Sequence, residues 1–494
     1  MKSARFWATW AKGLEPTQPS AVLNHSSPAR ARMRRLVPAL WGWLCALGLL
    51  KFGNPVIMES LIGWPSELFE WVLSPWPILV AYLCLGAVAL FTLGTERPLP
   101  LPGPRWLALV PAFWLGWQGL SAITTVDGAL TRVTMFHFAA CTACFYLGAL
   151  YLGRHATLRP TWIWMVAALI WIELYGLDQR FRGLPATREF LLQHERTHWR
   201  EFPPEERARW EEAGMLSRTA EGWTVHPKLL EKASSQRISS TLFYPNTLAG
   251  ALLLCSPVAL WSLATTSRFT PAARLFLVLL VGTGAVACLY WSGSKSGWLL
   301  TLVVVVLAFC VQPIARVFKW AMVCVLMIAG LALFGMRHHT FFQRGAPSVA
   351  ARWDYWQAAW QTAKEHPWLG TGPGTFQRPY AQRKRPESEM ARLTHNDYLQ
   401  QASDSGWPGA ALYTAWIAGV LLFTGRSVLK WPSHEHFYVW LGCLGWALQS
   451  LTEFNLYIPG LAWTFFVWAG WLLTQVGQIP STMPPGQGYF RTNK

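Results

Sequence analysis

The sequence predicts an all-α integral membrane protein of about twelve transmembrane helices, with two large extracytoplasmic loops that contain short helices of their own. Three observations lead there. Hydrophobic residues fill 52% of the 494 positions and charged residues only 14%, far more apolar surface than one soluble core can bury. Apolar runs of about 17–23 residues, long enough at ~1.5 Å per residue to cross ~30 Å of hydrocarbon, recur along the chain. Lys and Arg alternate between connections in a way that an odd error in the span count would scramble.

In order, a basic tail (1–35) leads into five spans over 36–178, near 36–56, 73–94, 104–124, 133–153 and 160–178. A hydrophilic segment, 179–242, precedes four spans over 243–336, near 243–264, 273–291, 297–314 and 318–336. A second such segment, 337–406, precedes the last three over 407–476, near 407–425, 435–452 and 459–476, and a tail follows at 477–494. With both termini cytoplasmic, the inside connections carry Arg30, Arg32, Arg34 and Arg35, then Arg97 and Arg105, Arg154 and Arg159, Arg268 and Arg274, Arg316 and Lys319, Arg426 and Lys430. Outside, 57–72 and 452–458 hold no Lys or Arg, 125–132 holds only Arg132 and 292–296 only Lys295. The net charge of +17 is thus partly a topology signal, and no nucleic-acid-binding motif accompanies it.

The first apolar run follows a basic segment as a secretory signal would, but it continues through Lys51 without a small-residue cleavage site and reads as a retained anchor. All nine cysteines fall inside predicted spans, where they act as small apolar residues. Cys141 and Cys144 form a CxxC, yet no second pair or nearby acid makes it a metal site.

Function belongs in the two hydrophilic segments, which the charge pattern puts outside the cytoplasm. Pro203–Glu212 in the first is a proline-started, charge-rich run typical of a surface helix. His194-Glu195-Arg196-Thr197-His198 spells the HExxH zinc motif. A charged Arg196 inside it, no evident third ligand and a position outside any span favour a solvated helix instead; no metal is expected.

In the second segment, Arg352–Trp360 places aromatics at helical spacing and reads as an interfacial helix, anchored where Trp and Tyr are enriched. A turn at Gly370, Gly372 and Gly374 follows; its N–H groups could meet a phosphate, but a tight connection is the better reading. Then come Arg378, Arg383, Lys384, Arg385 and Arg392, cations beside a membrane whose lipid carriers bear anionic phosphates. Glu387 and Glu389 balance that charge, and no DxD pair stands outside. The run ends in Thr394-His395-Asn396-Asp397-Tyr398-Leu399, which holds a side chain able to accept a proton near neutrality at a lipid–water boundary. Arg237, at the mouth of the sixth span, supplies another cation; two arginines converging on a pyrophosphate would replace the metal that many glycosyl transfers use.

These segments, in this order, resemble the O-antigen ligase and O-antigen polymerase superfamily: Arg237 with Tyr244-Pro245-Asn246-Thr247-Leu248-Ala249-Gly250, Ser292–Gly297, Arg352 with Trp356, Pro367–Gly372, and His395–Leu399. The resemblance implies an inverting, metal-independent glycosyltransferase at the periplasmic face of a bacterial inner membrane, without a cofactor, whose donor is a glycan on undecaprenyl pyrophosphate. It makes His395 the base for the acceptor hydroxyl, and Arg237 and Arg352 the grip on the pyrophosphate. Asn246, Gly372, Asn396, Asp397, Tyr398 and Glu453 stand as supporting candidates. At position 295 the chain has Lys where the family usually has Arg, and the charged insertion at 179–236 is a further departure. A backbone-bonded loop histidine, arginines that snorkel to headgroups, and a helix cap at Asn396 and Asp397 are the bland alternatives. The acceptor stays open between lipid A core, a growing polymer and a protein hydroxyl. A transporter or flippase of lipid-linked sugars is the rival class, weakened by the scarcity of ionisable residues within the spans, where Lys51, His137 and Glu173 are the main ones.

Overall fold

The computed structural model describes residues 28–212, 214–312, 314–343, 347–386, 388–430 and 435–478. The tail before residue 28, Glu387 and the segment from 479 on lie outside the described residues. Contacts divide the chain into two units, Met1–Leu36 and Val37–Lys494. The candidate site lies wholly in the second.

Helices α1 (Pro28–Lys51), α2 (Leu68–Leu73), α3 (Ile78–Thr95), α4 (Arg105–Ile123), α5 (Gly128–Leu150) and α6 (Arg159–Asp178) open the chain. A π-turn at Gln179–Gly183 carries α6 into α7 (Leu184–Arg196), so Arg159–Arg196 is one 38-residue helical stretch. At ~1.5 Å per residue it is about 57 Å long, nearly twice the hydrocarbon thickness, and its charged second half projects beyond the apolar layer. There α7 joins α8 (Pro204–Glu212), an antiparallel hairpin of β1 (Leu216–Thr219) and β2 (Gly222–Val225), and α9 (Pro227–Ser235). The predicted surface helix is thus part of a small subdomain with its own core of Leu191, Trp199, Phe202, Leu216 and Val225.

The bundle continues with α10 (Pro245–Thr265), α11 (Pro271–Ser292), α12 (Lys295–Cys310) and α13 (Arg316–Gln343). The second hydrophilic segment forms α14 (Pro347–Glu365) and α15 (Gln377–Arg383) before α16 (Asp397–Val428), α17 (Glu435–Gln449) and α18 (Pro459–Gln478). Among the described residues, nine helices are long and apolar enough to cross a membrane, against the twelve predicted. The shortfall is α12 and α17, with 16 and 15 residues, and α18, whose apolar run is interrupted by Thr464, Thr474 and Gln475. Helices α17 and α18 still run between the same two ends of the bundle. Glu435 of α17 accepts from Trp162 (2.9 Å), and Gln449 at its other end donates to the Asn246 carbonyl (2.6 Å). Gly460 of α18 donates to the Phe52 carbonyl (3.1 Å), and Gln475 donates to that of Gly153 (2.7 Å).

The innermost helix is α18, which can carry polar residues because protein rather than lipid surrounds it. Its closest neighbour is α5, and at their crossing a Cβ on Gly470 would overlap the Phe145 carbonyl. Small residues at such a crossing let two backbones approach, the main source of packing energy where lipid is as apolar as the side chains.

A kink at Gly406 (φ 70°, ψ 179°) divides α16 where the predicted last loop meets the predicted tenth span. The strand of backbone at Pro367–Gly374 docks against its first half. Thr371 N–H donates to Ser403 O (3.2 Å), Gly372 N–H to Asp404 O (2.8 Å) and Trp407 N–H to Pro367 O (2.8 Å). A Cβ on Gly370 (φ 64°) would overlap the Asp404 backbone, and backbone cannot swing aside. Gly370→Ala should therefore destabilise the purified protein by about 2 kcal/mol or more through left-handed strain and the clash together. A thermal unfolding midpoint equal to that of the unaltered protein would contradict this account of the turn.

Candidate active site

The connections that the charge pattern places outside meet at one end of the bundle. There a cleft of about 690 Å³ is lined by Arg237, Tyr244, Asn246, Lys295, Arg352, Tyr355, Arg392 and His395, among others. Each arrives on a different element. Ser235 ends α9, so Arg237 is the first cation of the linker to α10; its Nε donates to the Ser292 carbonyl (2.7 Å) at the α11 terminus, where Gly293 turns with φ 61°. Asn246 sits in the first turn of α10 behind Pro245, Arg352 on α14, and His395 one residue ahead of the Asn396 cap of α16.

Glu453 joins them. Its carboxylate is 1% exposed, lies in the turn between α17 and α18, and engages three partners. Oε2 faces His395 Nδ1 at 3.0 Å, while Oε1 accepts from Asn246 Nδ2 (2.6 Å) and from the Arg352 guanidinium. Asn246 accepts in turn from Arg237 Nη2 (3.1 Å). The three principal residues read from sequence therefore belong to one hydrogen-bonded chain, and Glu453, ranked low as a site candidate, is its hub. Burial alone would raise the Glu453 pKa, but His395 and Arg352 outweigh it and hold the carboxyl below its ordinary value of 4.5. Burial lowers the Arg237 pKa; Glu453 opposes this, and the crowding of Arg352 and Arg337 adds to it. A cleft so loaded with positive charge favours an anion.

The guanidiniums keep donors in reserve. Arg237 uses two of its five N–H groups on Ser292 and Asn246. Arg352 uses three, on the Thr452 carbonyl (3.2 Å), the Ser348 carbonyl (3.3 Å) and Glu453. The His395 ring is held by aromatics: Tyr355 stacked on it at 5.9 Å, Phe454 edge-on at 4.7 Å and Tyr244 edge-on at 6.4 Å. His395 itself has φ 55°, a left-handed conformation that costs a non-glycine residue ~1–2 kcal/mol and that neighbouring contacts must sustain.

The remaining candidates have structural partners. Asn396 caps α16 by accepting from Leu399 N–H (3.0 Å), the role its bland reading gave it. Asp397 Oδ2 accepts from Leu456 N–H (2.9 Å), which ties α16 to the turn that carries Glu453, and Tyr398 donates to the Ala447 carbonyl (2.9 Å), which ties it to α17. Gly372 belongs to the turn packed on α16, its N–H bonded to Asp404 rather than open to a phosphate. Lys295, at the position where the family usually has Arg, lines the cleft, its Nζ 3.9 Å from the Phe341 ring centre.

Of the basic run, Arg392 alone lines the cleft. Arg378 pairs with Asp127 (2.7 Å), Arg383 with Glu365 and Arg385 with Asp354 (3.8 Å), while Lys384 donates to the Ser388 carbonyl (3.1 Å). These charges hold the loop to itself and to the outside end of α5. The α14 aromatics divide between two faces: Trp353 and Trp360 are exposed, as interfacial anchors would be, whereas Tyr355 faces His395. The HExxH residues do not form a metal helix, because α7 ends at Arg196 and His198 lies beyond it with φ 49°. Glu195 accepts from Val225 N–H (2.9 Å), Trp199 Nε1 (3.0 Å) and the Thr224 hydroxyl, pinning the hairpin to α7. Within the spans, His137 Nε2 lies 2.7 Å from the Leu456 carbonyl, and Lys51 donates to the Ser74 (3.1 Å) and Val72 carbonyls.

Residues 275–414 match the family model described as O-antigen ligase. The match covers well under half of the chain and shows that this segment is similar to O-antigen ligases. It includes Lys295, Arg352 and His395 and stops short of Glu453, while Arg237 and Asn246 precede it. The superfamily resemblance read from the loop motifs thus holds, and with it the coarse class of a membrane enzyme related to O-antigen ligases and polymerases. No curated protein matches the sequence.

The depressed Glu453 pKa gives the protein a pH signature. A carboxyl with a lowered folded-state pKa contributes stability above its ordinary value and loses that contribution as pH falls through the folded value. The thermal midpoint of the purified protein should fall as pH drops below about 5, more steeply than that of Glu453→Gln. Parallel pH profiles for the two proteins would show that the carboxylate is not held ionised.

Proposed function

We propose that this protein moves a glycan from undecaprenyl pyrophosphate to an acceptor hydroxyl, with inversion, at the periplasmic face of the bacterial inner membrane. The observation that carries the proposal is the continuous chain from His395 through Glu453 to Arg352, and through Asn246 to Arg237, along one cationic cleft.

An ionised Glu453 can only accept, so it keeps the proton of neutral His395 on Nδ1 and leaves Nε2 as the base. Nε2 takes the proton of the acceptor hydroxyl as its oxygen attacks the anomeric carbon from the face opposite the pyrophosphate. The bond from that carbon to the pyrophosphate oxygen breaks, and the lipid pyrophosphate leaves with the electron pair. Arg237 and Arg352 offer their remaining N–H donors to the charge that develops on it, as fixed forks in a partly dry site. Glu453 offsets the imidazolium formed on His395 and binds Arg352 through its other oxygen, so base and anion grip keep register. The acceptor fits a lipid A core hydroxyl in ligation; polymerisation and transfer to a protein hydroxyl use the same donor geometry and differ only in what enters.

Reconstituted protein supplied with lipid-linked glycan and defined acceptors tests this. His395→Ala should lower transfer on the order of 10²–10⁴-fold while still inserting in the membrane. Retention of full transfer by that variant would sink the proposal, and translocation of the lipid-linked glycan without transfer would favour the flippase reading. Arg352→Lys keeps the charge but loses the fork; it should lower transfer at least ~10-fold, a loss that simple headgroup snorkelling would not produce.

A further inference from the structure

Gln236 and Arg237 are adjacent in sequence but line different clefts. Arg237 faces the cationic site, whereas Gln236, held at φ 52°, lines a second cleft of about 570 Å³ between α7 and the end of α9. The two clefts adjoin at this dipeptide. The second belongs to the charged insertion that departs from the family pattern, and the proposed transfer chemistry assigns it no role.

One wall of this cleft is a stripe on α7. Arg188, Glu189, Leu192, Gln193 and Arg196 lie at helical spacings of one, three and four residues along a single face, and all line the cleft. The opposite face buries Leu191 in the subdomain core and engages Glu195 with the hairpin. Polar stripes are usually solvated surface, but two observations separate this one. It walls a concave cleft with Leu184, Leu192 and Ala233 as an apolar floor. Among the described residues, the exposed side chains of Arg188, Glu189, Gln193 and Arg196 make no hydrogen bond or ion pair, so their polar groups are open to a ligand, whereas Glu195 on the other face is satisfied three times over. Gln236 is anchored by Arg180, whose Nη1 donates to its Oε1 (2.5 Å), leaving its amide N–H donors for a ligand.

We infer that this second cleft is a glycan-binding subsite that holds sugar residues flanking the reacting one, an inference that rests on the transfer reaction proposed above. Guanidinium and amide groups in one concave wall, with a carboxylate among them and an apolar floor, suit ring hydroxyls and C–H faces. The join at Gln236 and Arg237 lets one extended glycan lie in this cleft while its reducing-end phosphate reaches the cationic site. The insertion then sets which glycans are used without touching the bond that breaks.

The test uses full-length purified protein and, as probe, the reducing glycan freed by mild acid from the source cell's own lipid-linked pool. The combined variant Arg188→Ala, Gln193→Ala, Arg196→Ala should weaken binding of that glycan at least ~10-fold, with the thermal midpoint unchanged. His395→Ala should bind it as the unaltered protein does. If the combined variant does not fold, Gln193→Ala and Arg188→Gln alone should each weaken binding by ~3-fold. In the transfer assay, a raised KM for the lipid-linked donor assigns the cleft to the donor chain, and a raised KM for the acceptor assigns it to an acceptor glycan. Equal glycan affinity in cleft variants and unaltered protein, or no binding of the free glycan by either, overturns the inference. The binding experiment needs no turnover, so transfer-competent His395→Ala would defeat the proposed reaction and leave this result standing.

Discussion

The Glu453 carboxylate, ionised and almost wholly buried, is the constraint on which the site depends. A charge removed from water must be paired and hydrogen-bonded, and removing one partner of a buried pair costs on the order of 3–5 kcal/mol. Here the partners come from the start of α10, from α14 and from the residue before the α16 cap. Satisfying one carboxylate therefore links three segments that lie far apart in the sequence. The strained backbone at His395 is sustained the same way, by Glu453 on one ring nitrogen and by three aromatic rings around it.

Beneath this hub the helices form a polar floor rather than a uniformly apolar one. Asp404 Oδ2 accepts from Gly374 N–H (2.9 Å), Gln400 Nε2 (2.8 Å) and the Tyr457 hydroxyl (3.1 Å), which ties the glycine turn, α16 and the approach to α18 into one knot. Trp114 and Gln118 of α4 reach the same helix through Gln401 (2.8 and 2.9 Å). Buried groups of this kind are costly alone and rigid together. They give the outer end of the bundle a fixed platform, and the tertiary match of α18 with α5 holds that platform from below.

The residues engaged in this frame explain why much of the charge in the loops is not free for a ligand. Arg378, Arg383 and Arg385 neutralise Asp127, Glu365 and Asp354, so the loop's basic character is largely internal. At the cleft the cationic character centres on Arg237, where the nearby charges of Arg352 and Arg337 make an anion welcome. Such an arrangement discriminates by position rather than by total charge.

Much of this was legible in the sequence. Apolar runs and the segregation of Lys and Arg are local properties, and they gave the membrane class, the end of the bundle where the loops gather, and His395, Arg237 and Arg352 as loop residues of interest. Even the α16 kink at Gly406 fell where hydropathy changes. Among the described residues, α12, α17 and α18 fall short of the other nine in length or apolar character, through shortness or polar interruptions, and packing keeps them in the bundle. Only the tertiary structure decided that Glu453 binds the site together, that Tyr355 belongs to His395 rather than to the membrane surface, and that Lys295 lines the cleft. The physical reason is separation: Asn246 and Glu453 stand 207 residues apart, and neither periodicity nor composition records which side chains a folded bundle brings within hydrogen-bonding distance.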